Sequence, residues 1–160
     1  MKKTIRLFVL LGVIFLLPAL AQAGDVTEVG CVSTTFRLMG ANDKICIEGF
    51  ADPKVPGVVC HWSRARTGGM TGMVGMAEDP SNASLACRQI GPINKNAVAK
   101  LKDGEKVFQA STSVMFKTLQ VVRMYDPKFS TLVYLVYSDK LIDGSPKNSI
   151  SSVPIMKWVN

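Results

Sequence analysis

Two runs of β-forming residues, separated by a five-residue turn, constrain the fold of this chain more than any other feature. Residues 113–125 (SVMFKTLQVVRMY) and residues 131–138 (TLVYLVYS) are dense in Val, Leu, Tyr and Met. The connector DPKFS places proline at its second position, as β-turns prefer. The pattern predicts an antiparallel hairpin. Because residues 131–137 are apolar on both alternating faces, we expect the second strand at the centre of a sheet.

Shorter segments elsewhere in the chain show the same β-forming composition, bounded by glycine and proline. They predict strands over residues 26–39, 44–50, 58–63, 84–90 and 106–110. After Asp139 the chain is rich in turn residues, and no further strand is predicted there.

A single short helix is predicted over residues 94–102, with Val98 and Leu101 on one face and Asp103-Gly104 ending it. Together these elements predict a mainly β fold in one domain. The expected architecture is an antiparallel sandwich-like or barrel-like sheet with at most one short helix.

The N-terminal residues predict a signal peptide rather than a part of this fold. Lys2, Lys3 and Arg6 precede an apolar run of 14 residues, and Ala21-Gln22-Ala23 then supplies a small-x-small cleavage pattern. The apolar run is shorter than the ~20 residues that span a bilayer, so we expect no stable membrane anchor after cleavage. We therefore predict a cleaved signal peptide over residues 1–23 and a single periplasmic domain over residues 24–160.

The charge of the predicted domain gives little support to nucleic-acid binding. The chain carries 19 Lys and Arg residues and 12 Asp and Glu residues, and three of the basic residues lie in the signal peptide. The remaining domain has a formal net charge of +4, and its basic residues are scattered rather than grouped in a run. We expect neither a nucleic-acid partner nor a cofactor.

Four cysteines, Cys31, Cys46, Cys60 and Cys87, are expected to form disulfides in an exported protein. Neither a C-x-x-C motif nor a Cys/His cluster is present, so no metal site is expected. Three pairings are possible. The predicted strands around Cys31 and Cys46 follow one another, which favours a Cys31–Cys46 bridge and leaves Cys60–Cys87 to close the loop between them.

The motif RARTGGMTGMVGMAED (residues 64–79) combines two arginines, four glycines and two acids. Its glycine spacing matches neither the P-loop nor the dinucleotide-binding fingerprint, and the required alternation of strands and helices is missing. The two nucleotide-binding motifs are therefore excluded.

Two interpretations of this motif remain. In the first, glycine amides converge on an anion while Arg64 and Arg66 add charge-assisted hydrogen bonds. In the second, residues 65–82 are a surface loop whose arginines pair with Glu78 and Asp79. The candidate ligand-binding residues here are Arg64, Arg66, Thr67, Gly68, Gly69, Glu78 and Asp79.

Four charged residues outside the motif complete the candidates. Lys117 and Arg123 are six residues apart in one predicted strand, so they share a face. A solvated face is the favoured interpretation, since a buried one would need acid partners or an anionic ligand. Asp139 and Lys140 follow the central strand and can join them. His61, the only histidine, is expected to be structural, because no G-x-S-x-G elbow accompanies it.

Several segments, taken in order, resemble the CreA family, small exported proteins of Gram-negative bacteria. They are RARTGGMTGMVGMAED, ACRQIGPI, SVMFKTLQVVRMYD and YLVYSDKLIDGSPKNSISSVP. The resemblance covers nearly all of the predicted domain. It implies a Cys60–Cys87 bridge, because these residues fall where the family motifs place a cysteine pair. It supplies no established activity, catalytic residue or ligand.

The leading functional hypothesis is a non-catalytic binding protein for an anionic small molecule, an envelope glycan or an envelope protein partner, since no complete catalytic constellation is present. The competing hypothesis is an envelope hydrolase or transferase with Glu78 or Asp79 as general base and Arg64 or Arg66 as electrostatic stabiliser. A structural envelope protein is the third.

Overall fold

Within the residues that the structure describes, eight strands form two antiparallel sheets that share one apolar core. The computed structural model describes residues 25–70, 82–111, 118–139 and 146–159. The first sheet contains, in order, β1 (Thr27–Thr35), β2 (Asp43–Ala51), β3 (Val58–Arg66) and β4 (Ala83–Gln89). The second contains, in order, β5 (Glu105–Ser111), β6 (Thr118–Asp126), β7 (Thr131–Ser138) and β8 (Asn148–Pro154). The predicted mainly β, antiparallel, single-domain fold is confirmed, and the two separate sheets make it a sandwich.

The predicted hairpin is β6 and β7, and β7 has the predicted bounds. It lies between β6 and β8, at the interior of its sheet as expected. Leu132, Tyr134 and Val136 on one face are buried, while the residues between them are half-buried. The core side of the strand is therefore fully covered and the other side only partly.

Strand β8 was not predicted, because its sequence NSISSVP alternates serine with only two large apolar residues. The strand pairs with β7 and also covers the edge of β4. The Cys87 backbone N–H donates to Ser151 Oγ of β8 at 2.8 Å, and just past β8 the Gln89 side chain bonds the backbone of Met156. A sequence of weak strand propensity is thus held in place by its neighbours on two sides.

The predicted helix is shorter than expected. Helix α1 (Lys95–Val98) begins after Asn94, whose side-chain Oδ1 accepts the Ala97 N–H at 3.2 Å, a common N-cap arrangement. Val98 is buried in the core and Leu101 packs against it, so the predicted apolar face is correct even though the helix ends early.

Three aromatic rings join the sheets at the centre of the core. Phe50 of β2 stacks on Phe108 of β5 with ring centroids 4.4 Å apart, and Trp62 of β3 meets Phe108 edge-on at 4.9 Å. Because Phe50 and Trp62 belong to one sheet and Phe108 to the other, these contacts hold the two layers together.

Both predicted disulfides are present, and each links directly opposed residues of neighbouring strands. Cys31 of β1 is bonded to Cys46 of β2, and Cys60 of β3 to Cys87 of β4. Cys46, Cys60 and Cys87 are fully buried, whereas Cys31 is exposed. In the chain-entropy description a loop of the size closed by Cys31–Cys46 contributes about 3 kcal/mol.

A buried ion pair connects the sheets at one end of the sandwich. Asp52 follows β2, and its carboxylate accepts hydrogen bonds from Arg123 Nη1 of β6 at 2.6 and 2.7 Å and from Tyr134 Oη of β7 at 2.8 Å. The backbone N–H groups of Lys54 and Val55 also donate to it. The carboxylate is therefore fully satisfied, as a buried charge must be.

The interpretation of Arg123 as a solvated residue is wrong. Arg123 is fully buried opposite Tyr134, and its Nη2 donates to Glu105 Oε2 at 2.6 Å. The hydrogen bond from Lys54 lowers the pKa of Glu105, and the charges of Lys54 and Arg123 lower it further. Burial acts in the opposite direction, but the pKa stays below its ordinary value. Arg123 thus has the acid partners that a buried arginine requires.

Tyr134 serves this network as a neutral donor. Burial, followed by the charge of Asp52 and the hydrogen bond to it, raises the pKa of Tyr134 above its ordinary value. The hydroxyl proton therefore stays in place at any ordinary pH.

We predict that Arg123→Met destabilises the fold by about 3–5 kcal/mol, because it leaves Asp52 as an uncompensated buried charge. Urea unfolding with both disulfides intact measures the change. Arg88→Met is the matched control: Arg88 is exposed, and its Nη1 bonds only the neighbouring Cys87 carbonyl among the contacts described. A similar, small loss in both variants would contradict a structural role for the Arg123 pair.

Candidate functional site

The two arginines of the glycine-rich motif lie on strand β3 rather than in a loop. β3 continues to Arg66, three residues beyond its predicted end, so Arg64 and Arg66 are on the same face as Trp62. In the register with β2, Trp62 lies opposite Glu48 and Arg66 opposite Lys44. The face of the sheet therefore changes from aromatic to charged towards the end of β3.

Glu48 is the acid that both arginines share. Its Oε2 accepts the Trp62 Nε1–H at 2.9 Å, and its Oε1 accepts hydrogen bonds from Arg64 Nη2 at 3.4 Å and from Arg66 Nη2. The Arg64 guanidinium carbon also lies 5.3 Å from the Trp62 ring centroid, a cation–π contact. We call these four residues the Glu48 cluster.

The arginines of the Glu48 cluster keep its carboxylate ionised. Burial acts to raise the pKa of Glu48, but the charge and hydrogen bond of Arg64, the charge of Arg66 and the Trp62 hydrogen bond outweigh it and lower the pKa. Glu48 is thus ionised and engaged on both oxygens, which is unsuited to a general base. Two arginines contact this carboxylate, and Lys44 lies opposite Arg66 on the neighbouring strand.

The two glycines after Thr67 allow the β1–β2 turn to approach the end of β3 closely. Gly68 N–H donates to Asp43 Oδ1 at 2.7 Å, and Gly69 N–H donates to the Ala41 carbonyl at 2.6 Å. A Cβ on Gly68 would lie 2.1 Å from that carbonyl oxygen, and Gly69 has a φ of +74°. Glycine is therefore required by the approach of the β1–β2 turn, and both amides are already engaged within the protein.

A groove lies beside Arg66, between β3 and the β1–β2 turn. It has a volume of about 220 Å³. Its lining residues are Thr34, Thr35, Arg37, Asp43, Lys44, Ala65, Arg66 and Thr67. We call it the basic groove, because three of these side chains are cationic and its one acid, Asp43, is paired with Arg37.

A larger cavity of about 320 Å³ lies alongside, bordered by Ile45, Ser63, Ala65, Ala83 and neighbouring residues. Its lining is mostly small and uncharged apart from Arg64. It lacks the convergence of cations that distinguishes the basic groove.

Within the described residues, the sequence candidates Arg123 and Asp139 do not line the basic groove. Arg123 lies with Asp52 near the start of β3, and Arg66 at its end; at ~3.3 Å per residue these ends are roughly 26 Å apart. Asp139 accepts the Thr118 N–H at 2.9 Å and the Gln120 side-chain amide at 3.2 Å, so it binds the start of β6. The remaining candidates, Glu78, Asp79, Lys117 and Lys140, lie outside the described residues, as do residues 1–23.

The sequence analysis missed several site residues, among them Arg37, Lys44 and Glu48. Glu48 carried a detectable signal: in KICIEGF it shares its alternating face with Cys46 and Phe50. An acid on a predicted core face requires a cationic partner. The arginines at alternating positions of the next strand could have been assigned to it. Arg37 carried no such signal, because its position depends on the turn.

One group of potential metal ligands occurs within the described residues, and it does not offer thiolates. Glu28, Cys31 and Cys46 lie with their ligand atoms within 4.8 Å of one another. The two sulfur atoms are bonded to each other, so the group is a disulfide beside a carboxylate.

Comparison with known proteins shows a family likeness over almost the whole described region. A family model described as CreA protein matches residues 29–158. Protein CreA from Escherichia coli strains K12, O6:H1 (CFT073) and O157:H7 is in each case 50% identical over 144 residues, covering 87% of this chain and 90% of the relative. No solved structure gives a significant match. Among the described residues, no helix is long and apolar enough to cross a membrane.

We predict that Glu48→Gln lowers the free energy of unfolding at neutral pH, because two arginines lose their shared counter-charge. The folded pKa of Glu48 lies below its ordinary value. Its contribution is therefore present above an unfolded pKa of about 4.3 and is lost as the pH falls through the folded pKa. The difference in unfolding free energy between wild type and Glu48→Gln should shrink as the pH is lowered from neutral towards about 3.

Urea unfolding at a series of pH values measures this difference. Asp25→Asn, at an exposed acid outside the strands, is the control and should show a small, unchanging difference. A pH-independent penalty for Glu48→Gln would contradict an ion-pairing role.

Proposed function

The chain belongs to the CreA family, and within it we propose an exported, non-catalytic protein that binds an anionic ligand in the basic groove. The ligand is an anionic small molecule or an acidic group of an envelope partner. Arg66 is the member of the Glu48 cluster that lines the groove, and Lys44 and Arg37 supply further charge.

One observation carries the proposal: two arginines converge on a single carboxylate at the edge of a groove. Glu48 orients Arg66, and it also contacts Arg64 through the same carboxylate oxygen. The Arg66 side chain keeps 31% of its surface exposed towards solvent. A guanidinium held in place and still accessible suits a carboxylate or phosphate group, which it binds through directed, charge-assisted hydrogen bonds.

The geometry supports binding better than catalysis. A general base needs a free lone pair and a pKa near the working pH, whereas both Glu48 oxygens accept hydrogen bonds and its pKa is lowered. The acids of the hydrolase hypothesis, Glu78 and Asp79, lie outside the described residues.

We predict saturable binding of inorganic phosphate or citrate, weakened about tenfold by Arg66→Gln, since one charge-assisted hydrogen bond contributes roughly 1.5–3 kcal/mol. Isothermal titration at constant ionic strength measures the dissociation constants and avoids general salt effects on stability. Arg88→Gln removes the same charge from β4 near the opposite end of the sheet and should leave binding unchanged.

Equal dissociation constants for the two variants would remove Arg66 from the site. Absence of saturable binding by both anions would overturn the proposed function for small ligands.

We also propose that residues 1–23 direct export to the periplasm and are cleaved after Ala23. Two disulfides support this compartment, because disulfides persist where the environment is oxidising.

We predict that protein from a periplasmic fraction begins at Gly24. Its intact mass should be about 4 Da below that of its reduced form, since each of two disulfides removes two hydrogens. Mass spectrometry before and after reduction measures both. A chain beginning at Met1 in the cytoplasmic fraction would contradict export, and a smaller mass difference would contradict one of the bridges.

A further inference from the structure

The β1–β2 turn displays three large apolar side chains to solvent. Phe36 is 79% exposed, Leu38 89% and Met39 71%. We call residues 36–39 the apolar turn. Single exposed apolar residues are ordinary, but three in four consecutive positions at the tip of a hairpin form a local patch that calls for a partner.

The apolar turn is held by hydrogen bonds of Arg37 and by the close approach of Gly69, just beyond β3. The Arg37 guanidinium donates four hydrogen bonds of 2.8–3.2 Å to both oxygens of Asp43, and the Arg37 N–H donates to Asn42 Oδ1 at 2.9 Å. Gly40 has a φ of +86°, and a Cβ there would lie 2.5 Å from the Gly69 carbonyl carbon. The apolar side chains are therefore displayed by a braced turn, which lowers the entropy cost of binding through them.

Cations surround the base of the apolar turn. Arg37 belongs both to the turn and to the basic groove, where Lys44 and Arg66 also lie. The nearby acids Asp43 and Glu48 are each engaged by arginine. An apolar tip with an excess of cations immediately behind it is the surface that amphipathic membrane-binding elements present.

We propose that the apolar turn and the basic groove together dock on an anionic lipid bilayer. Phe36, Leu38 and Met39 enter the boundary between headgroups and acyl chains. Arg37, Lys44 and Arg66 then contact lipid phosphates, which makes the lipid headgroup the anion of the proposed function. This part of the inference rests on that function, while insertion of the apolar turn does not.

Shape and charge select a bilayer over a protein groove. The patch is a convex tip at the end of a hairpin, and a fluid interface accepts such a tip without a complementary cavity. Lysine is depleted from protein interfaces, whereas an anionic bilayer surface attracts Lys44 together with Arg37 and Arg66. Association is expected to be reversible and weakened by salt, because a few apolar side chains and three cations bind modestly.

Vesicle co-sedimentation tests the proposal. Wild type should sediment with vesicles of an equimolar mixture of phosphatidylglycerol and phosphatidylcholine, and much less with phosphatidylcholine alone. Leu38→Ser should weaken sedimentation about tenfold, and Arg66→Gln about fivefold, since each cation near an anionic surface contributes a comparable factor.

Phe129→Ser is the matched control. Phe129 is 68% exposed and lies beside Lys128 in the β6–β7 turn. Two positions later, residue 131 pairs with the last residue of β8. Like Phe36 beside Arg37, Phe129 is an exposed aromatic residue beside a cation, but it belongs to the other sheet. It should leave sedimentation unchanged; an equal loss in Phe129→Ser and Leu38→Ser would overturn the assignment to the apolar turn.

Phosphate titration of Leu38→Ser separates the two proposals, because this variant retains Arg66. Failure of wild type to sediment with the anionic vesicles, alongside intact phosphate binding, overturns bilayer docking and leaves the proposed function standing. If wild type does not bind phosphate, and Leu38→Ser abolishes sedimentation while Arg66→Gln does not, only the headgroup contact is overturned. Concentration-dependent self-association in light scattering that Leu38→Ser abolishes identifies a second copy as the occupant and overturns the proposal.

Discussion

The carboxylate of Asp52 is the constraint on which the packing of the two sheets depends. It stands just beyond β2 in the first sheet and binds Arg123 and Tyr134 of the second. A buried charge tolerates little displacement, because any lost hydrogen bond leaves it uncompensated. The aromatic contacts of Phe50, Trp62 and Phe108 supply non-directional attraction between the layers, and the Asp52 network adds the directional bonds that fix their register.

Two ionic clusters lie at opposite ends of β3, and they differ in how deeply their arginines are buried. Around Asp52, each charge has an opposite partner and Arg123 is sealed in the core. Around Glu48, two arginines share one acid, and Arg66 remains partly open to the basic groove. The same residue types therefore stabilise the fold at one end and leave Arg66 partly exposed at the other.

Glycine connects the basic groove with the apolar turn. Gly40, Gly68 and Gly69 let the β1–β2 turn approach the end of β3 backbone to backbone, and the amides of Gly68 and Gly69 bond Asp43 and Ala41. The described glycines of the motif that suggested an anion cradle, Gly68 and Gly69, thus form a pair that positions its neighbours. In the function we propose, it sets the cations and the exposed apolar side chains on one rigid support.

Local pattern was sufficient for the β6–β7 hairpin, the apolar face of Val98 and Leu101, and the Cys31–Cys46 bridge, since each depends on neighbours in sequence. The family resemblance supported Cys60–Cys87. The partners of Arg123 could not be foreseen: Asp52 lies 71 residues away, and only the packing of two sheets brings them together. β8 likewise depends on β7 and β4 rather than on its own propensity. The sequence by itself determined the described strands other than β8 and the residue types of the site. Tertiary structure decided which charges are sealed and which stay open, because burial and long-range register are set only when the sheets meet.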